Sequence, residues 1–117
     1  MSTILAVISA IVWPALQAFN LFVYFLAFLT VYRAHLNGNL AKAAPVTRAL
    51  CWVIVAIGYV LDVTFNFTAG TAGFFELPRQ LTLTTRCKSH LGDAGWRGDR
   101  ARWICSQLDL FQEGGHC

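Results

Sequence analysis

The sequence predicts an all-α membrane protein: an antiparallel two-helix transmembrane hairpin followed by a short, partly helical polar tail that carries Cys and His. Three observations lead there. Of the 117 residues, 56% are hydrophobic and only 13% are charged, whereas an ordinary soluble domain is about one quarter charged. The deficit is uneven, since residues 1–32 hold no charged side chain and residues 49–75 hold Asp62 alone. Each run also exceeds the roughly 20 apolar residues that a helix needs to cross about 30 Å of hydrocarbon. The chain therefore divides into a hairpin unit, residues 1–78, and a tail, residues 79–117. The spans are expected at about 4–32 and 49–75, with a connector at 33–48.

The first span is read as a retained helix and not a signal peptide. No Lys or Arg precedes the apolar run, the run is too long, and no small-residue cleavage site leads into a polar chain. Pro14 removes one backbone hydrogen bond, which neighbouring helices can compensate in a bilayer. Ser9, Trp13, Gln17, Asn20 and Tyr24 follow spacings of four, four, three and four, so they share one stripe of a helix. Amides within a bilayer seek interhelical partners, so the stripe should face protein: an intramolecular seam, a seam between subunits, or a wet lumen.

In the connector, Asn37-Gly38-Asn39 suits a chain reversal because Asn and Gly tolerate positive φ. Pro45 pre-sets the start of the next helix, with Thr47 a candidate N-cap. So short a connector makes the two spans antiparallel neighbours.

In the second span, Gly58, Asp62 and Asn66 recur at intervals of four. Gly58 permits close helix approach, and an intramembrane carboxylate is costly enough to need a named partner. Asn20 lies 12 residues before Tyr32 and Asp62 13 residues after Ala49. At 1.5 Å per residue the two are at nearly equal depth, so Asn20, with Gln17, is the expected partner of Asp62. The polar seam is thus Gln17, Asn20, Gly58, Asp62 and Asn66. Asp62 either completes a structural hydrogen bond there or serves a proton relay or pore lining. Thr64, Asn66, Thr68, Gly70, Thr71 and Gly73 dilute the end of the run, and an early stop near Phe67 would bring Asp62 towards the surface.

The tail begins after Pro78. Residues 79–91 read as helix despite the alternation in Leu81-Thr82-Leu83-Thr84, and Gly92 and Gly95 mark a break. Ala101, Ile104, Leu108 and Phe111 then recur at three and four, predicting an amphipathic helix at about 97–111. Trp96, Arg97, Arg100, Arg102 and Trp103 are its candidate membrane-interface residues, unless the helix packs on the hairpin end. Cys87, His90, Cys105, His116 and Cys117 form the tail's chemical constellation. They could hold a structural zinc, two of the cysteines could form a disulfide on an oxidising face, or all could stay free on a reducing one.

The net charge is +3 and the bases are scattered among acids, which leaves no clustered footprint for nucleic acid. No Ser/His/Asp set, glycine-rich phosphate loop or carboxylate pair stands out, so no enzyme is expected. The bilayer, a second copy or another membrane protein are the expected partners. Near the membrane, Arg33, Lys42 and Arg48 in the connector balance Arg79, Arg86 and Lys88 in the tail. Counting Arg97, Arg100 and Arg102 as well puts both termini in the cytoplasm.

The sequence at residues 48–62, the two charge-poor spans, and the ending with Trp103-Ile104-Cys105 and Gly115-His116-Cys117 resemble small membrane proteins encoded by phages and prophages of proteobacteria. In outline the chain is also similar to two-span holins, which open the inner membrane at lysis, although the Cys/His tail differs from their simple charged tail. The resemblance implies a multi-pass protein of the bacterial inner membrane and assigns no functional residue. It implies a holin-like oligomer that permeabilises the membrane. The alternative is an anchored module whose stapled tail docks on a host or phage protein, for example to exclude a superinfecting phage.

Overall fold

The computed structural model of the protein describes residues 2–117. All regular structure among them is helical. Two helices are long and apolar enough to cross a membrane, Ser2–Leu36 and the continuous stretch Pro45–Phe74.

Helix α1, Ser2–Leu36, has 35 residues, so it is about 52 Å long at 1.5 Å per residue. It runs through Pro14 without interruption; the missing amide leaves only the carbonyl of Ala10 without its helical donor. The chain then turns at Gly38, whose φ of 79° lies in the left-handed region, while Asn37 Oδ1 accepts from the Asn39 amide at 3.0 Å. Both turn residues thus act as expected. A single turn, α2 (Asn39–Lys42), buries Leu40 and leads to α3, Pro45–Phe65. Pro45 opens α3, but Ala44 occupies the cap position and makes no side-chain bond. Thr47 is already inside the first turn and is not the N-cap.

From Asn66 to Gly70 the helix widens into a π-helical segment and then finishes as α4, Thr71–Phe74. It therefore does not stop near Phe67. It stops at Phe75, which takes a left-handed φ of 50°, uncommon for a bulky residue. Helices α1 and α3 pack on one another: a Cβ added at Gly58 would lie 3.4 Å from Tyr24 Cβ. Nearer the turn, the His35 and Trp52 rings meet edge to face, with centroids 6.1 Å apart.

The tail holds α5, Leu83–His90, and α6, Trp96–Asp109. Capping overrides the strand-like alternation before α5, because Thr82 Oγ1 accepts from the Thr85 amide and so satisfies one of the free N–H groups of a helix start. Phe74, Cys87, Ala101 and Cys105 form the buried core, which joins the end of the second long helix to both tail helices. Gly98 lets α6 approach the preceding loop, since a Cβ there would collide with the Asp93 carbonyl. α6 packs on α5 and on the end of the second long helix through Ala101 and Cys105, the second of the two arrangements expected for it. Phe111 reaches α1, its ring 5.4 Å from that of Phe22.

Candidate functional site

Asp62, Asn66 and Gly70 recur every four residues, so they share one face of the second long helix. That face is covered by α5, where Leu83, Arg86 and Cys87 recur at three and four. The Leu83 amide, at the first position of α5, donates to Asp62 Oδ1 at 2.9 Å. It has no acceptor within its own helix, and a carboxylate there also meets the positive end of the α5 dipole. One turn on, the fully buried Asn66 donates from Nδ2 to the carbonyls of Gln80 at 2.6 Å and Leu81 at 3.2 Å. Asp62 and Asn66 together clamp residues 80–83.

Arg86 is the largest fully buried side chain in the junction. Its Nη2 donates to Thr71 Oγ1 at 3.3 Å, while Nε, Nη1 and the Asn66 Oδ1 have no protein partner. Gly70 makes the room: a Cβ there would lie 3.1 Å from Asn66 Oδ1 and 3.5 Å from Arg86 Nη1. The π-helical segment falls on this site, where such widened turns are often functional. Beside Arg86, burial pushes the Cys87 thiol up to about 11, against the lowering effect of the arginine charge. Cys87 is thus an inert thiol, since the thiolate is the reactive form.

The end of the helix is held by α6. Arg97 donates from Nε to the Phe74 carbonyl at 2.7 Å and from Nη2 to that of Phe75 at 3.0 Å, and Arg100 donates to the Gly73 carbonyl. These carbonyls lie where a helix lacks internal donors and where cations are favoured. The Trp96 ring lies 4.8 Å from the Arg97 guanidinium and 5.3 Å from that of Arg100. Arg102 binds the carbonyls of Leu91 and Asp93 as well as Asp99. The three arginines expected at the membrane surface therefore hold the tail together; Trp96 and Trp103 remain about half or more exposed.

The expected zinc set does not assemble. Cys105 and Cys117 are joined in a disulfide with Cα atoms 5.6 Å apart, Cys87 is a separate buried thiol, and both histidines bind elsewhere. No group of three His, Cys, Asp or Glu among the described residues could hold a metal ion. His90 lies between Asp93 and Glu76, 2.6 Å from each carboxylate, and these hydrogen bonds, Asp93 first, raise its pKa. His116 meets Thr84 at 2.9 Å and Gln112 at 2.7 Å. Burial, with Lys88 nearby, lowers the His116 pKa. Asp109 closes the staple by accepting from the amides of Cys117 and His116, which holds its carboxyl below the usual range.

The expected pairing of Asp62 with Asn20 is also corrected. Asp62 faces α5, while Asn20 is exposed. Gln17 and Asn20 instead line a small cleft of about 60 Å³ with Leu61, Thr64 and Phe65. Gly58 does meet α1, at Tyr24. Sequence reasoning missed Arg86, Gly70, Thr71 and the Glu76–His90 pair. Only the spacing of Leu83, Arg86 and Cys87 hinted at a buried face with a cation in it. The chain matches no known family model, no curated protein and no solved structure.

Proposed function

We propose that this is a non-enzymatic, two-pass protein of a bacterial inner membrane, in which α1 and the Pro45–Phe74 helix form an antiparallel transmembrane hairpin. Its tail is a fixed, disulfide-stapled module that the hairpin anchors beside the bilayer for binding another protein. The observation that carries this reading is the engagement of Asp62 and Asn66 with residues 80–83. The polar face of the second helix serves as a seat for the tail and is not free to line a lumen. The 17 residues before Asp62, Pro45 to Leu61, cover about 26 Å, close to the hydrocarbon thickness, so the seat falls near the membrane surface.

The Cys105–Cys117 disulfide favours an oxidising compartment. It breaks the tie between the near-membrane basic residues in favour of both termini outside and the connector, with Arg33, Lys42 and Arg48, in the cytoplasm. This reverses the orientation expected from the whole-tail charge count. Reporter fusions at residue 117 and within the connector test it: a tail reporter active only outside the cytoplasm supports the reading, and a cytoplasmic tail with free Cys105 and Cys117 thiols overturns it.

A holin-like oligomer is the second reading, favoured by the exposure of Ser9, Trp13 and Asn20 on α1. Regulated expression should then depolarise cells. Unchanged membrane potential and no lysis would remove it and leave the anchored module.

A further inference from the structure

We infer that Leu110 and Phe111, at the end of α6, insert into the leaflet on the tail's side of the membrane, where lipid chains cover them. The inference rests on the reading that the two long helices cross the bilayer with Asp62 near its surface. It goes beyond that reading by giving the tail a lipid contact of its own.

Contacts between the long helices set the levels. Tyr24 faces Gly58, which lies one turn, about 6 Å, below Asp62 on the membrane side. α1 runs the opposite way, so Phe22 lies about 3 Å and Phe25 about 8 Å below Asp62. The Phe111 ring packs on Phe22 and the His116 ring on Phe25, with centroids 5.4 Å and 4.7 Å apart. The end of the tail therefore reaches below Asp62, into the zone about 5–10 Å deep where surface-bound elements bury apolar groups.

The course of α6 points that end downwards. Arg100 donates to the Gly73 carbonyl, 11 residues beyond Asp62 and hence about 16 Å above it. Phe111 follows Arg100 by another 11 residues, about 16 Å of helix, which returns the chain to the level of Phe22. Leu110 still has helical angles. Ala101 and Cys105 face the core, and at 100° per residue Trp103 and Leu110 share the opposite face. Leu110 is 75% exposed and Trp103 65%. Trp103 lies about 10 Å above Leu110, at the headgroups, where tryptophan is enriched.

Continuity selects lipid as the occupant. Phe19, Phe22 and Val23 form one exposed apolar face of α1 at this level, and Phe111 carries that face onto the tail. The polar groups flanking the pair are spent within the tail: Asp109 accepts from the amides of His116 and Cys117, and Gln112 binds the His116 ring. Glu113 and Lys88 are exposed and belong with the headgroups, which keeps the insertion shallow.

The test is spin labelling of the full chain in phosphatidylcholine vesicles, in a Cys51→Ser background with the Cys105–Cys117 disulfide kept oxidised and Cys87 buried. The label is placed at Leu110→Cys, at Ala94→Cys in the loop before α6, or at Ile57→Cys in the second long helix, all exposed positions. Its relaxation by oxygen, which concentrates in lipid, is compared with that by a water-soluble nickel complex. The oxygen-to-nickel ratio at 110 should exceed that at 94 several-fold and approach that at 57. Equal ratios at 110 and 94, with 57 in lipid, would overturn the insertion alone. Shielding of 110 from both reagents would do the same, because protein and not lipid would then cover it. Nickel access at 57 would overturn the membrane reading together with the insertion.

Discussion

The carboxylate of Asp62 receives the amide of Leu83, 21 residues later in the chain, so the one acid in the second long apolar run acts as an anchor point for the tail. This bond and the Asn66 clamp tie the second long apolar helix to the tail.

Removing that acceptor should loosen the tail without disturbing the packing of the two long helices. Asp62→Ala leaves the Leu83 amide unpaired in a half-buried seat, a loss of about 1–3 kcal/mol. Amide hydrogen exchange in detergent should show faster exchange across residues 80–90, with Gly58 and its neighbours unchanged. Equal protection in both proteins would refute the anchor.

Gly98→Ala should be among the most damaging single-methyl changes in the tail. The added carbon runs into the Asp93 carbonyl, which is backbone and cannot swing aside. Overpacking of this kind costs about 1–3 kcal/mol. Limited proteolysis should cut the variant between α5 and α6 well before the parent chain.

Reduction of Cys105–Cys117 opens a staple across a sequence separation of 12 residues. Loop-closure entropy puts its contribution at about 3 kcal/mol. Cys117→Ser should lower the tail's thermal midpoint and expose Cys87 to maleimide, a thiol that is protected by burial in the parent. Labelling of Cys87 at the same rate in both proteins would argue against a shared core.

The two tail histidines should respond to pH in opposite senses. For His90 the folded pKa lies above the usual 6.5, so its contribution is complete below pH 6.5 and fades as pH rises through the folded value. For His116 the folded pKa lies below 6.5, so stability is lost as pH falls from 6.5 towards the folded value. Nuclear magnetic resonance titration of the imidazole signals should place one on each side of 6.5. His90→Gln should remove the fall in stability above pH 6.5 and leave the fall below it, which belongs to His116, unchanged.

The helices and their faces were legible in the sequence for a simple reason. Charge-free length and a 3.6-residue period are properties of a single segment and announce both long helices, while the φ preferences of Gly and Pro announce the Gly38 turn and the Pro45 start. Periodicity assigns Asp62 and Asn66 to one face, but it does not say what covers that face. Matching Asn20 to Asp62 by depth assumed that α1 was the only neighbour, whereas α5 lies closer. The fate of Cys105 and Cys117, and of the arginines on α6, depends on how α5 and α6 fold together. That arrangement is set by Ala101, Gly98 and the Phe74 contact, which no local pattern announces.

The carbonyls at the end of the second long helix, from Gly73 to Phe75, find their donors in Arg97 and Arg100, which are synthesised 22 to 27 residues afterwards. During synthesis this terminus is therefore unfinished when it leaves the ribosome, and it is completed only after α6 has followed. A chain halted at Gly95 would carry both apolar runs in full and leave these carbonyls without their Arg97 and Arg100 donors. The final turn of the second long helix is thus completed by side chains that only the tail supplies.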